Sequence, residues 1–208
     1  LSPLLQRPLE HGADLVVHST TKFLNGHSDV VGGAVIAATQ EQHERLRLWG
    51  NALGLTAGAF DSYLALRGIR TLDARLRVHQ ENAAVLVEVL RTHPAVARLY
   101  YPGLPEHPGH EVAARQQSGF GSLISLELHG GVQAAERFLD ELLIFHLAES
   151  LGGVESLICH PASMTHAGMS PEARATAGIT GGLLRMSVGV ESADDLATVV
   201  SEALERAS

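Results

Sequence analysis

Lysine is almost absent from these 208 residues: of the 15 lysines and arginines, all but Lys22 are arginine. Cysteine is as scarce. A single Cys159 excludes an internal disulfide and a thiolate metal centre, and suits a reducing compartment. No stretch approaches the ~18 uninterrupted apolar residues of a spanning helix, and the first residues lack the basic, apolar and cleavage-site series of a leader. The expectation is therefore a cytoplasmic protein without a membrane partner. Basic clusters are missing as well, and a formal net charge of −8 disfavours a nucleic-acid footprint. What is present, 45% hydrophobic residues, is ample for a packed core. Without an initiator Met, and running at once into strand-like material, the chain is expected to be the later part of a longer protein.

Leu1 to Gly12 reads as a short helix closed by Gly12. "ADLVVHS" and "VVGGAVIAA" (residues 30 to 38) read as nearly continuous apolar strands of the kind buried in α/β sheets. Lys22 lies in the connection between them. A short charged helix over Glu41 to Trp49 precedes the glycine-punctuated loop "GNALGLTAG". Apolar residues recurring at three and four, among them Leu64, Leu72, Leu76, Ala83, Leu86 and Leu90, then predict one long helix over residues 60 to 93, or two with a break near Gly68, ending before Pro94.

Beyond Pro94 shorter units alternate. "VARLYYPG" predicts a strand, "HEVAARQQ" a helix, "GSLISLELHG" a strand, "VQAAERFLDEL" a helix and "FHLAESLGG" a strand. A glycine-, serine- and histidine-rich loop follows to about Gly182, then the strand "LLRMSVGVE" and a last helix with Ser192 as its N-cap and Asp194 and Asp195 in its first turn. This pattern predicts helices packed on an open sheet, an α/β sandwich, with a domain boundary near residue 90.

A lone lysine in a small-residue connection, with hydroxyls at Ser19 and Thr21 beside it, has a chemical logic. Only a primary amine condenses with an aldehyde, and no arginine replaces it in that task. The hydroxyls are suited to a phosphate. Arg185, by contrast, offers the planar fork that grips a carboxylate at two points. His18, His27, His160 and His166 lack the i, i+4 spacing of a zinc motif, so hydrogen bonding within loops is the expected use of each. Asp29 is expected to bond the loop backbone, and Cys159 to act as a small buried hydrophobe.

The segment "HSTTKFLNGHSDVVGGAV" resembles the pyridoxal-phosphate lysine segment of the Cys/Met-metabolism (transsulfuration) enzymes, a family of fold-type I. Three more segments resemble the same family: "GNALGLTAGAFDSYLALRGIRTLDAR", "LAESLGGVESLICHPASMTHAGMSPEARATAGI" and "LLRMSVGVESADDL". The resemblance implies pyridoxal 5'-phosphate (PLP) as cofactor, held covalently by Lys22 with its phosphate on Ser19 and Thr21. It implies that Arg185 pairs with the substrate α-carboxylate, that Ser150 lies near both, and that Asn51 and Glu149 contact substrate. It implies residues 1–90 as the end of a large α/β cofactor domain including the linking helix, and 91–208 as a smaller C-terminal α/β sandwich domain. The phrasing is most similar to bacterial members that join an O-acylhomoserine, succinyl or acetyl, to L-cysteine to give cystathionine, in a homotetramer with active sites shared across a dimer interface. Cystathionine and methionine γ-cleavage and O-acylhomoserine sulfhydrylation are alternatives that share these residues. An alternative of another class is a catalytically incomplete fragment or assembly module, because the family's stacking aromatic, pyridinium-pairing acid and glycine-containing phosphate loop have no candidate here. These 208 residues alone are accordingly expected to bind PLP weakly.

Overall fold

A computed structural model describes residues 1–208. The N-terminal segment is not the expected helix but a single 3-10 turn over Pro8–His11, closed by Gly12 at φ 89°. Pro3 and Pro8 each remove a backbone N–H, so an α-helical ladder through this stretch would lose donors. Strands β1 (Leu15–Ser19) and β2 (Gly33–Ala37) form where expected but pair with each other, antiparallel, as a two-stranded ribbon. They are not buried: Val17 is 74% exposed and Val35 49%. An apolar run reports what a strand can cover, and a two-stranded ribbon by itself covers little.

Helix α1 (Gln40–Ala52) begins with a capping box, in which the Thr39 hydroxyl and the Gln42 side chain each take the other's backbone N–H. The long periodic stretch resolves into two helices, α2 (Ala59–Ile69) and α3 (Leu72–Thr92), with the break just beyond Gly68. His93, which precedes Pro94, is extended and ends α3. The first turns of α3 place Leu72 and Leu76 in a small cluster with Leu5, Phe23 and Leu24. Its later turns place Ala83, Leu86, Val87 and Leu90 in the main core of 23 buried residues. One helix thus contributes to both apolar clusters.

The remainder of the main core is a mixed five-stranded sheet of order β3 (Val96–Tyr100), β4 (Leu123–Leu128), β7 (Leu183–Ser187), β6 (Leu157–Cys159) and β5 (His146–Leu147). Only β5 and β6 run parallel. Helices α5 (Gly131–Leu139) and α7 (Ala193–Ala207) pack beside α3 over this sheet. Ile124, Leu126, Leu184 and Met186 face them, fully buried. Arg185, alternating with Leu184 and Met186, therefore points to the other face. Helix α4 (His110–Gln116) lies where expected.

Two further expectations need correction. The strand predicted over "FHLAESLGG" covers only His146 and Leu147; Gly152 and Gly153 are poor strand formers, and Ser150 sits at φ 89°, outside any strand geometry. The loop predicted to Gly182 contains β6 and a short helix α6 (Pro171–Thr176), capped by the Ser170 hydroxyl on the Ala173 N–H with Pro171 opening its first turn. The run Leu157-Ile158-Cys159 was too short to stand out against its glycine-rich surroundings, and the Ser-Pro-Glu start signal of α6 was the legible clue.

Candidate active site

Between β1 and β2 the chain makes a π-type turn over Thr20–Leu24, with the Asn25 N–H donating to the Thr20 carbonyl at 3.0 Å. Lys22 departs from helical geometry within it (φ −86°, ψ −135°). Phe23 and Leu24 are buried beneath, so the turn is anchored by its own apolar residues while Lys22 remains half-buried.

Lys22 Nζ donates to Ser150 Oγ at 3.1 Å. Arg185 Nη2 donates to the Ser150 backbone carbonyl at 2.9 Å. Ser150 thus stands between the amine and the guanidinium, bonded to both. Its φ of 89° lies in the left-handed region that disfavours an L side chain, a strain typical of sites where the surrounding structure overrides local preference. Arg185 Nε is buried without a partner, so the fork keeps a donor uncommitted.

Glycines bring the parts this close. A Cβ on Gly152, itself at φ 80°, would lie 2.9 Å from the Phe23 backbone nitrogen, and one on Gly68 would lie 2.1 Å from the Asn25 carbonyl oxygen. The lysine turn is held between α2 and the loop after Ser150 at distances only glycine permits. The Gly152 N–H donates to Ser187 Oγ at 2.9 Å and the Val154 N–H to the Gly26 carbonyl at 2.9 Å, tying that loop to β7 and to the lysine turn.

Ser19 and Lys22 line one hollow of about 240 Å³ with Val17, His18 and Leu151 among its walls. The Thr21 hydroxyl accepts from the Gly32 N–H at 3.0 Å and donates to the Gly32 carbonyl at 3.4 Å. Glu149 is exposed, and it and Arg185 act on the buried thiol of Cys159 with opposite sign. Burial pushes that thiol's pKa up, and Cys159 sits free and fully buried, the placement expected of a small hydrophobe. Asn51 lies near the end of α1, exposed, and makes no side-chain hydrogen bond to Lys22, Ser150 or Arg185.

Of His18, His27, His160 and His166, the last three take hydrogen bonds within loops, whereas His18 lies in strand β1 and makes no side-chain hydrogen bond. His27 Nδ1 donates to the Asn25 carbonyl at 2.7 Å, and His160 spans Ser163 Oγ and the Gly181 carbonyl. Asp29 accepts from the Asn25 side chain at 2.7 Å rather than from the loop backbone. Residues not anticipated from the sequence include Arg75, His79 and Asn82, three polar side chains buried along α3. Their spacing of four and three residues, in phase with the apolar stripe, was the available signal.

An amine, a strained serine and a guanidinium thus form one contact chain, with the amine also opening on the hollow that it shares with Ser19. Residues 1–205 match the Cys/Met metabolism PLP-dependent enzyme family, and the chain belongs to that family. The cystathionine gamma-synthase of Escherichia coli K12 is 60% identical over 196 residues, 94% of this chain and 51% of the relative. The cystathionine gamma-lyase of Dictyostelium discoideum is 45% identical over 206 residues, 99% of this chain and 53% of the relative. Among solved structures, cystathionine gamma synthase from Xanthomonas oryzae pv. oryzae in complex with aminoacrylate and cysteine superposes with a TM-score of 0.96 at 63% identity, covering 100% of this chain and 54% of that one. The chain therefore spans about half the length of the relatives it matches. The fold is that of the fold-type I enzymes, and the family's cofactor is PLP.

Proposed function

We propose that the intact protein catalyses a γ-replacement in which an O-acylhomoserine, succinyl or acetyl, reacts with L-cysteine to give cystathionine. The observation that carries this reading is the contact chain from Lys22 through Ser150 to Arg185, which sets a transferable proton at a fixed place beside a carboxylate grip. Identities of 60% and 63% to two bacterial synthases support replacement over elimination, whereas mycobacterial synthases at 48% and lyases at 45% and 50% do not discriminate.

In this reading Arg185 binds the substrate α-carboxylate with its uncommitted donors, as a planar fork. Lys22 Nζ, released when the substrate amine takes its place and steadied by Ser150 Oγ, would take the α-proton, hand it on to the cofactor, and then take one from the β-carbon, so that the γ-acyloxy group leaves as a carboxylate. The cysteine thiol, losing its proton to solvent, adds at the γ-carbon, and the two protons taken earlier go back by way of Lys22 to the β- and α-carbons. PLP, carried by Lys22 with its phosphate on Ser19 and Thr21, supplies the electron sink that makes these carbon acids labile. Glu149, at the exposed rim, attracts an incoming amino group, and Asn51 contacts substrate.

The same reading divides the chain at about residue 90 into the end of a cofactor domain and a C-terminal domain, with α3, whose later turns lie in the main core, as the link between them. It also takes the enzyme as a cytoplasmic homotetramer with sites completed across a dimer interface; exposed Val17, Leu55, Phe60 and Leu66 support an assembly that covers them. No helix is long and apolar enough to cross a membrane. The test is an assay of the PLP-loaded intact protein with acylhomoserine plus cysteine, and separately with cystathionine. Cystathionine formation is expected; cleavage of cystathionine without synthesis would assign a lyase instead, the reading that the Dictyostelium relative favours.

A further inference from the structure

Among the arginines Arg75 alone is buried, at 7% exposure. It has no carboxylate partner; the four ion pairs of the molecule involve other residues. Its donors go instead to neutral acceptors. Nη1 donates to the Phe23 carbonyl at 3.0 Å, Nη2 to the Gly68 carbonyl at 2.8 Å and Nε to Thr71 Oγ1 at 3.1 Å. Burying an unpaired cation is unfavourable unless its hydrogen bonds are well made. Here three directions of one rigid plane are filled.

The acceptors are informative. The Phe23 carbonyl lies one residue past Lys22, in the turn where the backbone leaves helical geometry. The Gly68 carbonyl belongs to the helix against which Asn25 is pressed. Arg75 therefore staples the lysine turn to α2 and α3 at once. The same face of α3 continues with His79, whose Nδ1 lies 2.6 Å from the Val188 carbonyl and whose ring meets the Phe23 ring edge-on at 5.6 Å. Next comes Asn82, which donates to the carbonyls of Gly189 and Glu191 at 3.1 and 2.8 Å. Those carbonyls follow β7, the strand that carries Arg185. A single helix thus holds the lysine turn at its N-terminal end and the continuation of the arginine strand near its middle.

We propose that Arg75 is a positioning residue for Lys22: its guanidinium clamps the Phe23 and Gly68 carbonyls so that the Lys22 amine stays against Ser150, at a separation from Arg185 set by α3. This rests on the assignment of Lys22 as the cofactor lysine. Arg75 touches no substrate atom. It acts only through the backbone of the turn.

The test uses the intact protein and has two stages. In the cofactor-free protein, acylation of the Lys22 amine by acetic anhydride is followed on the peptide that carries it. Arg75→Met, which keeps the length but not the donors, is expected to acylate faster than wild type because the amine is released from Ser150. Arg75→Lys, able to reach one carbonyl but not span both, is expected to fall between. Reconstituted with PLP, Arg75→Met is expected to lose about tenfold to a hundredfold in kcat, with KM for the amino-acid substrate little changed, and to show an altered visible circular dichroism of the bound cofactor. If Arg75→Met does not fold, Thr71→Val, which removes the Nε acceptor and leaves the cation, is expected to shift Lys22 acylation in the same direction by less. A lowered melting temperature with unchanged Lys22 acylation and unchanged dichroism would overturn the proposal and leave Arg75 a packing residue. Lys22→Ala separates the two readings: borohydride-trapped PLP still found on that variant would refute the lysine assignment itself. PLP found on Lys22, with no effect of Arg75, would refute only the clamp.

Discussion

Lys22 and Ser150, 128 positions apart in the chain, meet through a hydrogen bond of 3.1 Å. The serine makes this contact from a left-handed backbone conformation, φ 89°, while its carbonyl accepts from Arg185. Side chain and main chain therefore have separate tasks, and two substitutions separate them. Ser150→Gly removes the hydroxyl and relieves the backbone; Ser150→Ala removes the hydroxyl and keeps the strain. Both are expected to lower kcat of the PLP-loaded protein by about tenfold, through loss of the amine's partner. Ser150→Gly is expected to be the more stable of the two by about 1 kcal/mol. Steady-state kinetics and urea unfolding check the pair.

Arg185 tests the carboxylate grip. Arg185→Lys retains the charge but loses the fork, and Arg185→Ala loses both. A charge-assisted hydrogen bond is worth about 1.5–3 kcal/mol, so Arg185→Ala is expected to raise KM for the amino-acid substrate about tenfold or more. Arg185→Lys is expected to recover only part of this. An unchanged KM in both variants would remove Arg185 from the binding site.

Gly152→Ala places a methyl 2.9 Å from the Phe23 backbone nitrogen at φ 80°. Because the obstacle is backbone rather than a flexible side chain, the loop itself must move. A loss of about 1–2 kcal/mol from the left-handed conformation alone is expected, together with disruption of the Lys22–Ser150 contact. Thermal unfolding and acylation of the Lys22 peptide read the two effects.

His79 links stability to pH. Burial, the largest influence, lowers its pKa from the ordinary 6.5, aided by the Arg75 charge; the Val188 carbonyl, Glu191 and Glu155 act in the opposite direction. Its Nε2 is buried without a partner, consistent with a neutral ring whose proton sits on Nδ1. With the folded-state pKa depressed, the unfolded chain binds the proton first as pH falls. The contribution is full above 6.5 and is lost below it, by at most about 1.4 kcal/mol per pH unit, until the folded-state pKa is reached. Denaturant midpoints measured from pH 7.5 down to 5.5 for wild type and His79→Gln are expected to differ in slope, the variant being flatter.

Leu86 lies at the centre of the main core, fully buried on α3. Leu86→Ala is expected to cost about 2–5 kcal/mol, without a selective effect on Lys22. Chemical denaturation combined with Lys22 acylation distinguishes this global loss from the local effect of Gly152→Ala.

Much of this architecture was legible in the sequence because helices and strands repeat at different periods. The stripe through Leu72, Leu76, Ala83, Leu86 and Leu90 marked α3, and Ser192 marked the start of α7. The single lysine with its neighbouring hydroxyls marked the connection in which Lys22 sits. Where periodicity had too few residues to act on, as in the three-residue β6, the element was missed. The apolar strands β1 and β2 were placed correctly but expected to be buried, since a run of valines states a preference and not its fulfilment.

Sequence by itself determined which chemistry is available: one primary amine, an arginine fork on a strand, hydroxyls near the amine, and a lone cysteine without activation. Only the tertiary structure decided which of these meet. Lys22, Ser150 and Arg185 converge because glycines at 68 and 152 let backbones approach below the distance any side chain would allow. Arg75 was hidden in the helical stripe for a related reason. A charged residue in phase with a core reads as an exposed edge until the carbonyls that receive it are brought there by the rest of the fold.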